Sequence, residues 1–409
     1  MSPMRFRVAI CGGGIGGLSL AVALSKYPDI QVDVYEAAGR FREIGAGVMI
    51  WSRTWRILEL LGMTSDFSKI AHAPPDGSLG IGFDYRKSDQ PEEGSRFHLF
   101  ALPYGCIRFH RAHFLDALVD RLPNGVAHFG KRLRSYSHGS SQDSVVLHFA
   151  DDSSAECDLL VGCDGIKSVV RQKVLEEISL PPHFAAVGLN EPVWTGTIAY
   201  RGLIPVDRLV QKDGSGHRTV ETPMMYCGKN KHVVSYSITG GSIVNVVAMK
   251  SEPENEVLEL LRCVEKPTRW AIHQLRPLPA YVTEKVALLG DAAHAMAPHQ
   301  GAGAGQAVED AYVLAELLGH QSTTLSTLPF TLKAYQHVRL PLANRVLTSS
   351  SESGRMYEFW GTFGDDLQRV GRMIERQWDW LTETTPEGEA QRAVVWMEEA
   401  IKAKSLSRK

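Results

Sequence analysis

The 409-residue chain has no apolar run of about 18 residues, so no membrane-crossing helix is predicted. It has no excess of either charge: 44 Lys and Arg against 46 Asp and Glu leave a formal net charge of −2. A nucleic-acid or anionic-membrane binder normally carries a basic excess, so neither partner is expected. Its six cysteines (11, 106, 157, 163, 227 and 263) include no C-x-x-C pair and suggest no disulfide frame or zinc site. They read as reduced, mostly buried thiols. The 15 histidines show no metal-ligand spacing. Repeats and low-complexity linkers are lacking too. Met1–Arg7 runs straight into an apolar strand pattern without the features of a signal peptide, so a cytoplasmic location is expected.

What is present is globular: 44% hydrophobic, 22% charged and 8% aromatic, enough for two or three domains with real cores. Phe6–Cys11 reads as a strand, Gly12 to Gly17 as a tight turn, Ile15–Leu24 as a helix and Val32–Tyr35 as a second strand. This is the opening of a dinucleotide fold. Residues 74–100, rich in Pro, Gly and charge, read as a long surface excursion. Arg111–Leu122 reads as a helix, 126–150 as strand, turn and strand with Asp151-Asp152 at a hairpin tip, and Leu159–Val161 as a buried strand. Pro181-Pro182 suggests a boundary. Thr195–Ile204, His232–Ile238 and Ser242–Met249 suggest a mostly antiparallel sheet, and Lys285–Leu289 a further buried strand. Val308, Ala311, Tyr312, Ala315 and Leu318 recur at helical spacing, and 333–402 reads as helical, broken at Pro341 and Pro386.

Three turns carry chemistry. Gly12-Gly13-Gly14-Ile15-Gly16-Gly17 is a G-x-G-x-x-G between a predicted strand and a predicted helix. Its glycines permit a sharp turn, close approach of a pyrophosphate and tight strand–helix packing. The helix N-terminus offers N–H donors. Glu36 ends the next strand, about 20 residues beyond the last glycine, where an acid accepts hydrogen bonds from a ribose. The second turn is Gly162-Cys163-Asp164-Gly165, continuing to Ser168 and Arg171; the third runs from Gly290-Asp291 through Pro298-His299-Gln300 to Gly301–Gly305. Each follows a short apolar strand. A second G-x-G-x-x-G is absent, so a dedicated nicotinamide domain is not expected.

With Arg42-Glu43-Ile44-Gly45-Ala46-Gly47-Val48, these segments resemble the FAD-dependent aromatic hydroxylases, the class A flavoprotein monooxygenases, and their salicylate hydroxylase-like branch above all. The likeness covers about residues 5–350. It implies bound FAD, NAD(P)H as a transient reductant, O2 as oxidant and a flavin C4a-hydroperoxide as the oxygenating species. It implies an α/β (mixed α+β) fold: a Rossmann-like FAD-binding domain from 1–75, 101–182 and 276–330. A β-rich substrate domain would take 76–100 and 183–275, and a helical C-terminal region 331–409. By position, Gly12, Gly14 and Gly17 would face the pyrophosphate and Glu36 the adenosine ribose. Ala46 and Gly47 would lie beside the flavin ring, and Arg111 near the ribityl and pyrophosphate. Asp164 would serve FAD and the nicotinamide donor, Asp291 the ribityl or pyrophosphate end, and Gly303 and Ala304 the pyrimidine edge.

The same resemblance points to a phenolic aromatic acid, salicylate or hydroxybenzoate-like, hydroxylated with or without loss of its carboxylate. Arg201 would pair with carboxylate or phenolate. Tyr236 would orient the phenol, with Tyr226 as its rival. His299 would accept a proton or bind a substrate oxygen. Each also has a plain structural reading, and His232 and His294 are read as structural. Two alternatives stay open: an epoxidase or hydroxylase of a non-phenolic ring, and a non-catalytic prenyl or lipid escort of the same fold. The tryptophans at 360, 378, 380 and 396 permit either packing on the FAD domain or a homodimer face.

Overall fold

The computed structural model describes residues 3–42, 46–72, 76–89, 94–139, 144–178, 188–209, 216–249, 260–361 and 366–407. Within them lie helices α1 (Ile15–Leu24), α2 (Ser52–Leu60), α3 (Thr64–Ile70), α4 (Arg111–Val119) and α5 (Val169–Glu177). They continue as α6 (Asp291–His294), α7 (Gly303–Gly319), α8 (Leu328–Tyr357), α9 (Leu367–Arg376) and α10 (Pro386–Ser407).

Strand β1 (Phe6–Cys11) is almost wholly buried, as befits a strand covered by helices on both faces. It runs parallel to β2 (Ile30–Tyr35) on one side and β11 (Leu159–Gly162) on the other. With β17 (Val286–Leu288) and β7 (Ala127–His128) they form a sheet in the order β17-β11-β1-β2-β7. Helices α1 and α7 pack together because residue 16 has no side chain: a Cβ there would lie 2.6 Å from Leu289 Cδ2 and 3.1 Å from Ala307 Cβ. A small antiparallel sheet, β8 (Leu133–His138), β9 (Val145–Phe149) and β10 (Ser154–Cys157), turns at Asp151-Asp152 as expected, with Asp152 in the left-handed region.

The second large sheet has seven strands in the order β16-β12-β15-β14-β13-β4-β5. These are β4 (Leu79–Lys87), β5 (Arg96–Pro103), β12 (Val193–Pro205), β13 (Met224–Gly228), β14 (Lys231–Ile238), β15 (Ile243–Met249) and β16 (Thr268–Gln274). All neighbours are antiparallel except β13 and β4. A two-stranded ribbon, β3 (Gly47–Ile50) with β6 (Ile107–His110), lies between the two large sheets' cores.

Two expectations need correction. Residues 79–87 and 96–100 of the stretch 74–100 are not a surface excursion: β4 and β5 extend the large sheet and bury Phe83, Tyr85, Phe100 and Leu102. Their glycines and charges disguise an alternation whose apolar half faces the core. Pro341 does not break the C-terminal helices either, since α8 runs through it from Leu328 to Tyr357. Proline removes one helical hydrogen bond and crowds the turn before it. Here buried Val338, Arg339, Ala343 and Val346 anchor the helix on both sides. Pro386 behaves as expected and opens α10. Pro181-Pro182, and residues 43–45 of the second quoted motif, lie outside the described residues.

Candidate functional site

The three glycine turns meet at one edge of the parallel sheet. Strands β1, β11 and β17 are neighbours running the same way, so their carboxyl ends adjoin. Strand order reverses at β1, the position where such sheets open a ligand crevice. Gly12 has φ +115°, and a Cβ there would fall 2.1 Å from the Cys163 carbonyl oxygen. Gly17 is as tightly held, 2.0 Å from Gly12 O by the same measure. The Cys163 N–H donates to Cys11 O (2.8 Å) and Leu289 N–H to Gly162 O (3.0 Å). Gly14 differs: nothing lies within 4 Å of its Cβ position, and the N-terminus of α1 beside it has no side-chain cap.

Glu36 is fixed beside this cradle. Its Oε2 accepts from Gly13 N–H (2.8 Å) and its Oε1 from Ala38 N–H (2.7 Å). Asp291 is exposed and makes no hydrogen bond or ion pair among the described residues. Gly303 and Ala304 open α7, whose N-terminus also has no side-chain cap, so first-turn N–H groups remain available. An open phosphate cradle, an acid at the β2 end, an unengaged aspartate and a second bare helix terminus suit an extended dinucleotide such as FAD. Asp164 is occupied differently: it accepts from Ser168 Oγ (2.5 Å), Val169 N–H (2.7 Å) and Val170 N–H (3.2 Å). Burial raises its pKa against the pull of these bonds. Its carboxylate shapes the turn and caps α5.

Across the turn lies the wall formed by β3, β6 and the seven-stranded sheet. Arg111 N–H donates to Ala46 O (2.8 Å), and Gly47 N–H donates to Asn245 Oδ1 (3.1 Å). A Cβ on Gly47 would lie 2.6 Å from the Tyr236 hydroxyl. Tyr236 therefore faces the Ala46-Gly47 segment, whereas Tyr226 is buried on the sheet's other face with Val233 and Val244. Burial pushes the Tyr236 phenol up, while Arg201, Arg108 and Arg111 favour its ionised form. Arg201, on β12, is half-buried and its guanidinium makes no hydrogen bond or ion pair among the described residues. Burial lowers its pKa. Geometry thus brings Arg201, Arg111 and Gly47 around Tyr236.

The family described as an FAD binding domain matches residues 5–185 and 260–350. A salicylate hydroxylase of Pseudomonas putida is 39% identical, over 92% of this chain and 91% of its own length. The chain belongs to the FAD-dependent aromatic hydroxylases. This chain is also 36% identical to a 6-methylsalicylate 1-monooxygenase of Aspergillus terreus, over 92% of this chain and 89% of that protein. Among solved structures, a salicylate hydroxylase substrate complex matches with a TM-score of 0.82 at 32% identity, over 95% of this chain and 98% of that one.

In this hydroxylase His299 lies in a short turn docked on α8. Its Nδ1 is 3.3 Å from His232 Nε2, and His232 Nδ1 is 3.0 Å from Glu358 Oε1. His232, read as merely structural from sequence, is therefore the direct partner of a candidate site residue. Burial, with His232 adding to it, holds His299 well below the usual histidine range, so the ring is neutral at neutral pH. The apex of the ring faces Gly354, where a Cβ would lie 2.5 Å from His299 Nε2. Ser350 secures the same turn, donating to Ala297 O (2.6 Å) and accepting from Gln300 N–H (3.3 Å).

The C-terminal helices reach the site through buried charge. Asp310 accepts from Gly290 N–H (3.0 Å) and bonds His294 Nε2 (2.6 Å), consistent with a structural His294. Arg339 on α8 donates to Asp310 (2.8 Å), Glu309 (3.2 Å) and Glu389 of α10 (3.1 Å). Arg53 joins Glu309 and Glu389, each at 2.9 Å. Burial disfavours the Asp310 charge, but His294 and Arg339 outweigh it and hold the carboxyl below the usual range. Trp378 stacks on Phe100 (4.8 Å between centroids) and meets Trp51 edge-on (4.7 Å), while Trp360 is exposed. Sequence reasoning missed Arg108, Asn245, Glu309, Asp310 and Glu389. Asn245 carried a signal, a single amide inside the apolar run 243–247. Arg108 carried a weaker one, alternating with apolar Ile107 and Phe109.

Proposed function

We propose that the protein hydroxylates a phenolic aromatic acid of the salicylate or hydroxybenzoate class, using NAD(P)H and O2. The observation that carries this reading is Arg201: a half-buried guanidinium beside the Tyr236 phenol with no acid to neutralise it among the described residues. An anionic guest supplies the missing charge, and the names of the relatives support an aromatic carboxylate. Bound FAD supplies the oxygen activation. Gly12, Gly14 and Gly17 would cradle its pyrophosphate, Glu36 would take its ribose, Asp291 and Arg111 its middle, and Gly303 and Ala304 its pyrimidine edge. Ala46 and Gly47 would flank the ring.

The chain's own side chains prepare the ring to be attacked. Electrophilic oxygen needs an electron-rich carbon, so the phenol must approach phenolate. Arg201 and Arg111 favour negative charge there, and Tyr236 aligns the hydroxyl. His299, neutral in its buried turn, has Nδ1 on His232 Nε2 and Nε2 against Gly354, so its part is to fix the loop that carries the glycine turn. Its Nδ1 leads on to His232 and Glu358. Met49, Met225 and Trp51 are buried in one apolar cluster with Tyr236, and dry surroundings of that kind protect the oxygenating species from water. Attack at the carboxylate-bearing carbon releases CO2, and attack at a neighbour retains it.

The test is NAD(P)H consumption by the holoprotein with a panel of hydroxybenzoates and non-phenolic ring acids. Stimulation by at least one phenolic acid, with a matching hydroxylated product, supports the reading. Stimulation only by non-phenolic rings replaces it.

A further inference from the structure

We propose that Arg108 is the carboxylate anchor of this site, taking the substrate's carboxylate on the Nε–Nη2 edge of its guanidinium. The proposal rests on the reading of the substrate as an aromatic acid and assigns a residue to its charge.

Arg108 sits in β6 opposite Met49 of β3. Its neighbours Ile107 and Phe109 point into the FAD-side core, so alternation turns Arg108 to the other face, towards Tyr236 and Cys106. Only 6% of the residue is exposed. No carboxylate pairs with it among the described residues. Its Nη1 donates to Ser237 Oγ (3.1 Å), which donates onward to Val220 O (2.6 Å). His72, 3.2 Å from the same Oγ, adds no negative charge. The guanidinium is thus held by one arm. Nε is buried without a partner, and Nη2 makes no hydrogen bond among the described residues.

That geometry has a specific chemical complement. Nε–H and the adjacent Nη2–H are parallel, and their spacing matches the two oxygens of a carboxylate. A cation this deeply buried is costly without an anion, so the free protein carries an unpaired charge that a bound carboxylate neutralises. Arg201, half-buried and nearer water, bears less of that cost and remains for the phenolic oxygen. With Arg108 on the carboxylate and Arg201 by the hydroxyl, one aromatic ring would be gripped at two substituents by two arginines that both act on Tyr236.

The experiment is thermal melting of the FAD-loaded protein, with and without sodium salicylate, for wild type, Arg108→Met and Arg108→Lys, with salicylate Kd from flavin absorbance. Wild type should melt higher with salicylate. Arg108→Met should melt no lower than wild type without ligand, because an unpaired buried charge is gone, yet its Kd should rise at least 100-fold. Arg108→Lys keeps the charge but loses the paired donors, and should weaken binding at least 10-fold. Phenol, which lacks a carboxylate, should bind the three proteins within threefold of one another. Salicylate binding within threefold of wild type in either variant overturns the assignment. So does a Met variant that melts lower while binding normally. Should wild type bind salicylate tightly but yield no hydroxylated product, the proposed activity fails and the anchor stands.

Discussion

The carbonyl oxygen of Cys163 occupies the place where a side chain on residue 12 would begin, 2.1 Å from a Cβ built there. Two turns, about 150 residues apart in sequence, are thereby locked into one cradle. Gly12→Ala must either push β11 away or leave φ +115°, a conformation that alanine avoids. It should cost more than about 3 kcal/mol and yield protein without flavin. Gly14→Ala meets open space on the protein side and an ordinary φ of −80°. It should fold within about 1 kcal/mol of wild type yet bind FAD weakly, since its methyl enters the pyrophosphate's space. Thermal melts with flavin absorbance at purification separate the two.

Arg201→Gln removes the half-buried cation beside Tyr236. Loss of a charge-assisted contact of this kind costs about 2–4 kcal/mol, or roughly 30- to 1000-fold in KM for an aromatic acid. FAD content should be unchanged. Tyr236→Phe should lower turnover, whereas Tyr226→Phe, on the sheet's other face, should leave KM for the acid unchanged. Steady-state kinetics with salicylate check both.

Glu389 of α10 braces Arg53 and Arg339, which in turn hold Glu309 and Asp310 behind the Gly290 turn. Removing one partner from a buried ionic network typically costs about 3–5 kcal/mol, because the remaining charges are left uncompensated. Glu389→Ala should lower the urea midpoint accordingly and weaken FAD retention, although residue 389 touches no part of the proposed FAD site. Denaturation and FAD titration of the apoprotein check this.

Acid should destabilise the fold earlier than its carboxylates alone require. Burial, with Arg108 adding to it, lowers His72 to about 4, and burial lowers His299 in the same direction. Both are neutral in the native state but ionise near 6.5 when unfolded. The unfolded chain therefore binds more protons, and this stability is complete above about pH 6.5 and declines as pH falls towards the native values. With His72 half-buried, a loss of about 1 kcal/mol per histidine between pH 6.5 and 5 is expected. The urea midpoint measured across that range should fall less steeply in His72→Asn.

Much of the FAD side was legible in the sequence because its constraints are local. Gly12, Gly17 and Gly290 each satisfy a backbone need within a few residues of a strand end, and β1 and α1 lie where hydrophobic spacing predicts them. The substrate side was less legible because it is assembled by pairing between distant strands. Gly47 meets Tyr236 and Asn245 across about 190 residues of chain, and β4 and β5 join β13 in parallel, which no local pattern announces. The resemblance favoured Tyr236, but seeing that its rival Tyr226 lies on the opposite face required knowing which face of β13 and β14 is turned to Gly47. Pro341 misled because a proline's local cost is visible in sequence, whereas the packing of Val338 and Val346 around it is not. Arg339 and Glu389 were invisible for the same reason: each looks like a solvated helix charge until α7, α8 and α10 close over them.

The most direct test of the account is mass spectrometry of the products formed from hydroxybenzoates under 18O2 with NAD(P)H. The account predicts one labelled oxygen in a new ring hydroxyl, with CO2 released or retained according to the carbon attacked. Reductant consumed with label appearing only in hydrogen peroxide for every phenolic acid, while a non-phenolic ring acquires it, would contradict the account.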